Sequence, residues 1–474
     1  MRKIHSFLAK FTHDFSYSFL LNIVNLLIKT SFVFILPKLI GVEDFGYWQL
    51  YFLYTFFIAF GHLGLVDGIY LKNGGKYYRE LDFRLLRSQF LVLIGMGTIW
   101  AVLLFLYSER FLTDGNKIYI LTVIALDLIL SLPRTLISVI FQMTGMIKEY
   151  SFSLMSESIS SFFMIVTMLL LGVRDYRYLI LADCGARCIS LCVSWHNAPG
   201  FIGKQFMNPF ESIKEAVSNV SVGIFLLLSN MVGLIVIASV RFAVEDQWGI
   251  VAFSKVSLAF SISSVAITAT GAASVVLFPL LKRLTKKNLE QSFSALSLLL
   301  ITLLAVLFCL YYPGVRILEW WLPKYDESFY YLTIILPMTL FDSNFSVIGS
   351  NFLKVIRKER SLLSINVLAV LFTWVCIFMV WYFRLPLDLL LGGIVVQSFI
   401  KMGLTIRALN RVMPMVRYFV LFAGAIISIL FYFSNLLIGG WIGCGVYVAG
   451  CLFLVWAVSG KIRSSLSVLK STGQ

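Results

Sequence analysis

The chain has 474 residues, 59% of them hydrophobic and only 13% charged, with a mean hydropathy of +0.89. A soluble core of this size does not need that much apolar surface, so an ordinary soluble domain is excluded; a bilayer, where each spanning helix takes about 20 mostly apolar residues, accounts for it. The net charge of +15 would point to nucleic acid in a soluble protein, but no basic, aromatic-interleaved domain is present, and positive cytoplasmic loops explain the excess.

Residues 1–14 are basic and lack an apolar core followed by a small-residue cleavage site, so they read as a cytoplasmic tail rather than a removed signal peptide. Candidate spans then fall near 16–39, 47–70, 88–107, 117–141, 151–172, 177–195, 217–240, 249–280, 291–312, 328–353, 361–383, 388–410, 416–436 and 439–459, which makes fourteen. The eighth is long enough to protrude or tilt. Between the sixth and seventh, Phe206 to Ala216 is amphipathic and reads as an interfacial linker helix. The longest outside loop, Tyr311 to Glu327, carries Trp320, Trp321 and Tyr325 at headgroup level. From Tyr418 to Gly460 there is no Asp, Glu, Lys or Arg, so the last two spans are expected to face lipid.

Charge sets the orientation. With the N-terminus inside, the inside segments hold 25 Lys and Arg against 9 outside, which supports an even number of spans with both termini cytoplasmic. The loop holding Arg174 and Arg177 is the one outside loop that is not depleted. The seven cysteines all lie in apolar segments, and disulfides are not expected. Cys184, Cys188, Cys192 and His196 recur every fourth residue, but such a stripe runs roughly 18 Å along a helix at 1.5 Å per residue and cannot converge on one ion.

The halves read as repeats. Gly41-Val42-Glu43-Asp44-Phe45-Gly46-Tyr47-Trp48 and Ala243-Val244-Glu245-Asp246-Gln247-Trp248-Gly249 share Val-Glu-Asp at an offset of 202 residues, each in the outside loop after the first helix of a six-helix set. The expected plan is an all-α integral membrane protein of about fourteen helices: an amino-terminal six-helix lobe (1–195), a cytoplasmic linker with an amphipathic helix (196–216), a carboxy-terminal six-helix lobe (217–411) and two additional helices with a cytoplasmic tail (412–474). Two parallel six-helix halves around a central cavity make a transporter plan.

The intramembrane ionisable residues carry the functional signal: Lys29, Asp127, Arg134, Glu157, Asp183, Arg187, Lys255, Asp342 and Lys401, with Asp67 near a span end. A charge at the bilayer centre costs at least about 2.5–3.5 kcal/mol, so each should be paired or wet. Ser18, Asn22, Asn25 and Lys29 share one helix face, which reads as the wall of a hydrated cavity. Lys29 has no acidic neighbour one turn away and needs an external partner, for which an anionic substrate is suited. Asp183 and Arg187 are spaced to pair with each other, whereas Asp127 and Arg134 are two turns apart; Pro133 predicts a kink. Ser254, Ser257, Ser261, Ser264 and Thr268 form a stripe beside Lys255, and Asp342, Ser346 and Ser350 line up in the tenth span. Hydroxyl stripes of this kind also serve simply as interhelical glue.

Cations in a water-filled cleft can replace the hydration of a phosphate, and Asn and Ser suit the hydrogen-bonding groups of a sugar. Asn22, Asn25, Lys29, Arg134 and Lys255 are therefore the candidate substrate-binding residues, and Asp127, Glu157 and Asp342 the candidates for a coupling proton or sodium ion. No Walker-type phosphate loop, zinc pattern or nucleophile–base pattern occurs, so no cofactor, metal or catalytic residue is expected, nor an enzyme.

The stretch Leu36-Pro37-Lys38-Leu39-Ile40-Gly41-Val42-Glu43-Asp44-Phe45-Gly46-Tyr47-Trp48 resembles the first loop of the polysaccharide transporter family, which includes the O-antigen flippases of the multidrug/oligosaccharidyl-lipid/polysaccharide exporter superfamily. Gly64-Leu65-Val66-Asp67-Gly68-Ile69 and Leu277-Phe278-Pro279-Leu280 resemble further landmarks. The resemblance implies twelve core helices in two lobes, often with two extra. It implies alternating access of a lipid-pyrophosphate-linked oligosaccharide from the inner to the outer leaflet of the bacterial inner membrane. The expected partners are that anionic glycan, membrane lipids and a coupling proton or sodium ion, with no nucleic acid. Two other readings remain: a cation-coupled multidrug exporter of the same superfamily, and a membrane glycan polymerase or acyltransferase.

Overall fold

The computed structural model describes the chain apart from residues 1–20, 22, 23, 202, 204, 283, 285, 414–417 and 472–474. Among the described residues every regular element is helical. Among those residues nine helices are long and apolar enough to cross a membrane, and up to eleven if each of two bent pairs makes one span. Residues 16–20, 22 and 23 of the first expected span lie outside the described residues, the seventh and eighth follow each other directly with only the break at Gly249 between them, and the last shows a shorter apolar helix, Gly440–Trp456.

The chain divides into two compact units, residues 1–231 and 232–474. Unit 1 holds α1 (24–39), α2 (Val42–Thr55), α3 (Leu65–Asn73), α4 (Phe83–Phe111), α5 (Gly115–Met143), α6 (Ile147–Leu170), α7 (Tyr176–His196) and the start of α8 (Pro209–Lys282). Acidic side chains start three of these helices: Asp82, Asp114 and Asp175 accept from the backbone N–H groups of the first turns of α4, α5 and α7. The apolar window of α5 is 67% buried against 22% for α4 and α6, which makes α5 the central helix of the unit. It runs through Pro133 without interruption.

Several expected loops are helical. Gly41 adopts an extended conformation and caps α2, so Val42-Glu43-Asp44 form the first turn of a helix, where acids suit the positive end of the dipole. Asp44 Oδ1 also accepts from the backbone N–H of Tyr176, at the start of α7. In the second half, Ala243 to Trp248 continues α8, because Arg-Phe-Ala-Val-Glu-Asp-Gln-Trp contains no breaker; the break comes at Gly249, with φ 79° and ψ 177°. The two Val-Glu-Asp motifs are thus not equivalent in place, since one follows a break and the other precedes one. Tyr311–Trp321 is a short helix, α10, rather than an open loop. The expected linker helix is not a separate element: residues 205–208 are not helical, and from Pro209 the amphipathic run is the start of α8.

Basic residues at the start of α4 hold that linker. Arg84 Nε donates to the Phe206 carbonyl at 3.0 Å, and Arg87 donates to the carbonyls of Gly200 at 2.8 Å and Gln205 at 3.0 Å. Gln89 Nε2 donates to the Ser212 carbonyl at 2.9 Å. The first turns of α8 then lie against α3. The chain bends by 59° between α2 and α3, around Leu63 and Gly64 in left-handed conformations. A Cβ on Gly68 would stand 2.0 Å from the Asn219 carbonyl oxygen, and one on Gly223 would stand 2.0 Å from that of Gly64. Only glycines permit this backbone-on-backbone approach. Lys72 reinforces it, with Nζ 3.0 Å from Glu215 Oε1 and 2.9 Å from Ser218 Oγ.

Unit 2 continues with α9 (Lys286–Phe308), α10, α11 (Asp326–Ile335), α12 (Met338–Ser343), a π-turn at Asn344–Gly349, α13 (Ser350–Val355), α14 (Glu359–Phe383), α15 (Leu387–Asn410), α16 (Phe419–Tyr432) and α17 (Gly440–Ser471). Phe431 and Tyr447 bury one face of α16 and α17, and Tyr447 donates to the Ala305 carbonyl of α9. Trp441, Ile442, Leu452, Phe453 and Trp456 are exposed on α17.

Replacing Gly68 with Val should break the α3–α8 contact and cost about 2 kcal/mol or more, since a close-packed site cannot take the added volume. Gly95→Ala, whose Cβ meets nothing within 4 Å, is the matched control. Thermal unfolding of the purified protein should show a lowered midpoint for Gly68→Val alone; equal midpoints would disprove the close approach.

Candidate functional site

The spacing of Asp183 and Arg187 foretells their pairing, and the two side chains meet, with Arg187 Nη2 3.2 Å from Asp183 Oδ2. The structure adds three elements to the pair. Arg187 Nη1 bonds Asp127 Oδ2 on α5, and Arg187 Nε stands 3.4 Å from Glu157 Oε1 on α6. Glu157 Oε2 in turn stands 2.9 Å from Arg134 Nη1. Asp127 and Arg134, two turns apart on α5, are therefore joined through Arg187 and Glu157. From α2, the Tyr51 hydroxyl reaches Asp183 Oδ2 at 3.0 Å and Asp127 Oδ2 at 3.5 Å, with the Arg187 guanidinium 5.7 Å from the Tyr51 ring centre. Ser131 and Ser161 donate to the remaining oxygens of Asp127 and Asp183, at 2.8 and 2.6 Å.

The carboxylates differ in how they are held. Asp127 and Asp183 are buried and accept directed hydrogen bonds on both oxygens. Glu157 has a side chain 24% exposed, and its two ion pairs lack directed hydrogen bonds: Arg134 Nη1 and Nε and Arg187 Nε are buried without an acceptor. The cluster is tight at its centre and loose at Glu157.

The first helix lies alongside. Ser158 Oγ donates to Asn25 Oδ1 at 2.6 Å, and Phe32 packs on Phe162 at 5.7 Å between ring centres, so α1 and α6 run in parallel. Lys29, one turn beyond Asn25, is exposed and makes no ion pair among the described residues. Asn22 and Ser18 lie outside the described residues.

In unit 2, Lys401 Nζ is 3.3 Å from Asp342 Oδ1 and 4.1 Å from the centre of the Phe345 ring, beside the π-turn. This pair repeats the Asp127–Arg187 pair at offsets of 215 residues for the acid and 214 for the base, joining the fourth and sixth expected spans of each half. The first and fifth spans also meet in both halves: Val232 and Val236 of α8 cluster with Ala369 and Val370 of α14. Lys255 Nζ is 2.7 Å from Glu327 Oε1 at the start of α11. Of the residues predicted to bind substrate, the structure places Asn25 and Lys29 on α1 and Arg134 on α5, two helices of unit 1 that both touch α6, and Lys255 in unit 2. Tyr51 was not singled out from the sequence, for it sits 76 and 132 residues from its partners inside an aromatic run. Ser131, one turn after Asp127, carried a readable signal.

These features are those of a polytopic helical protein with buried charge in each unit. Comparison with known proteins narrows the fold. No protein-family model and no curated protein matches the sequence. Among solved structures, Lipid II flippase MurJ in an inward closed conformation superposes with a TM-score of 0.66 at 13% identity, over 95% of this chain and 100% of that one. An inward-facing multidrug resistance MATE family transporter of the MOP superfamily superposes at 0.57 and 14% identity, over 83% of this chain and 98% of that one. The chain has the fold of the MOP-superfamily transporters.

Arg187→Met should leave Asp127 and Asp183 buried without their cation, at a cost of about 3–5 kcal/mol. The expected result is loss of folded protein, measured as the monodisperse fraction after extraction in mild detergent. Tyr51→Phe removes one neutral hydrogen-bonding group and should cost about 1 kcal/mol; equal losses for the two variants would remove Arg187 from the centre of the cluster.

Proposed function

We propose that the chain is a flippase that moves an undecaprenyl-pyrophosphate-linked oligosaccharide, such as a surface polysaccharide repeat unit, from the inner to the outer leaflet of a bacterial inner membrane by alternating access. The observation that carries this reading is the distribution of unpaired charge. Of the intramembrane set, Asp127, Arg134, Glu157, Asp183, Arg187, Lys255, Asp342 and Lys401 are ion-paired, while the exposed Lys29 has no such partner among the described residues. An exposed lysine without a carboxylate partner suits an anionic cargo. The fold shared with a lipid II flippase supports the same reading.

In this proposal Lys29 meets the pyrophosphate, Asn25 offers hydrogen bonds beside it, and Arg134 adds a planar guanidinium from α5. Asn22 falls on the same face of the first span. Glu157 is the most open of the carboxylates proposed to take up a coupling ion, because Asp127 has both oxygens occupied and Asp342 is held by Lys401.

The test is complementation of a strain lacking the gene. Lys29→Ala, at matched protein level, should abolish surface glycan and accumulate complete lipid-linked units facing the cytoplasm, and Lys29→Arg should restore part of the export. Normal surface glycan with Lys29→Ala would sink the assignment. An unchanged lipid-linked pool with altered drug susceptibility on deletion would favour the multidrug exporter.

A further inference from the structure

We infer that Glu157 is an internal stand-in for the substrate's phosphate: it occupies Arg134 in the empty protein and hands that guanidinium over when an anion arrives. The inference rests on the flippase reading and adds to it the exchange by which the anion gains its site.

Charge count makes some exchange necessary. Asp127, Asp183 and Glu157 face Arg134 and Arg187, three negative charges against two positive. A phosphate meets net repulsion here unless a carboxylate yields its cation to it and either swings away or takes up a proton. Geometry selects which one. Asp127 and Asp183 are buried and bonded by Ser131, Ser161, Tyr51 and Arg187. Glu157 is partly exposed and holds its two arginines by proximity alone.

The same positions give the carboxylate somewhere to go. Glu157 stands between two guanidiniums, 2.9 Å from Arg134 and 3.4 Å from Arg187. On release from Arg134 it keeps its contact with Arg187. Arg134 meanwhile carries two buried donors, Nε and Nη1, that no acceptor satisfies. These donors lie on different edges of the guanidinium, and a phosphate oxygen can accept from either one, where Glu157, engaged with two arginines, makes no directed hydrogen bond. Asn25, one turn before the exposed Lys29, accepts from Ser158, the residue next to Glu157, which sets α1 against α6 at the level of this carboxylate.

The experiment measures binding of inorganic pyrophosphate to the purified full-length protein in detergent, by calorimetry. Glu157→Gln keeps the side-chain volume and frees Arg134, and should tighten binding about tenfold, a change of about 1.4 kcal/mol. Glu157→Asp, which draws the carboxylate back by one methylene, should tighten it less. Arg134→Gln should weaken binding, and in that background Glu157→Gln should bring no gain. Affinity unchanged or weakened by both Glu157 variants, or an equal gain without Arg134, overturns the exchange. If in that case Lys29→Ala still weakens binding, the flippase reading stands and the exchange alone fails; if neither wild type nor Glu157→Gln binds pyrophosphate, both fail.

Discussion

The amino-terminal unit depends on one guanidinium. Arg187 is buried in an apolar bundle and shared among carboxylates from α5, α6 and its own helix, with a tyrosine from α2 closing the group. A charge in that setting is tolerable only with its counter-charges at contact distance and their remaining lone pairs filled. This requirement fixes α5 against α7 in depth and rotation. It also explains the small residues nearby, since Ser131 and Ser161 complete the coordination of the two aspartates. Apolar packing alone would allow these helices to slide; hydrogen-bonded charge does not.

A simpler version recurs in the second unit. Asp342 and Lys401 join the corresponding helices, and an aromatic face, Phe345, takes part of the role that extra carboxylates play for Arg187. The acid and base of the two pairs stand at nearly the same spacing in the two halves. The halves differ in chemistry. The first carries an open glutamate and an arginine with unsatisfied donors, and the second carries a closed one-to-one pair.

Much of the fold was readable in the sequence. Apolar windows of about 20 residues and the clustering of Lys and Arg gave the helical class and most of the spans, because bilayer thickness and loop charge are strong constraints. The loops were less readable. Ala243 to Trp248 looked like a turn because it is charged, yet charge does not stop a helix, and only Gly249 supplies the backbone conformation that does. Val-Glu-Asp suggested a repeat, yet the two motifs are not equivalent in place, since one follows a break and the other precedes one. At the site, pairing within one helix was legible for Asp183 and Arg187 from their spacing. The links from Arg187 to Asp127, Glu157 and Tyr51 depend on how three other helices are rotated, which no local pattern records. Lys29 stood out because nothing one turn away could neutralise it, and that remains its most telling property.

The meeting of α3 with the start of α8 has a mechanical consequence. Gly64, Gly68, Gly223 and the Asn219 peptide touch main chain to main chain, with Lys72 bound at one end. Interfaces padded by long side chains yield gradually, because each rotamer absorbs some displacement. Here there are no rotamers to yield, and a shift of an ångström either collides or forfeits the contact. Such a joint acts as a latch rather than a spring: it has a seated state and a released one, and little in between.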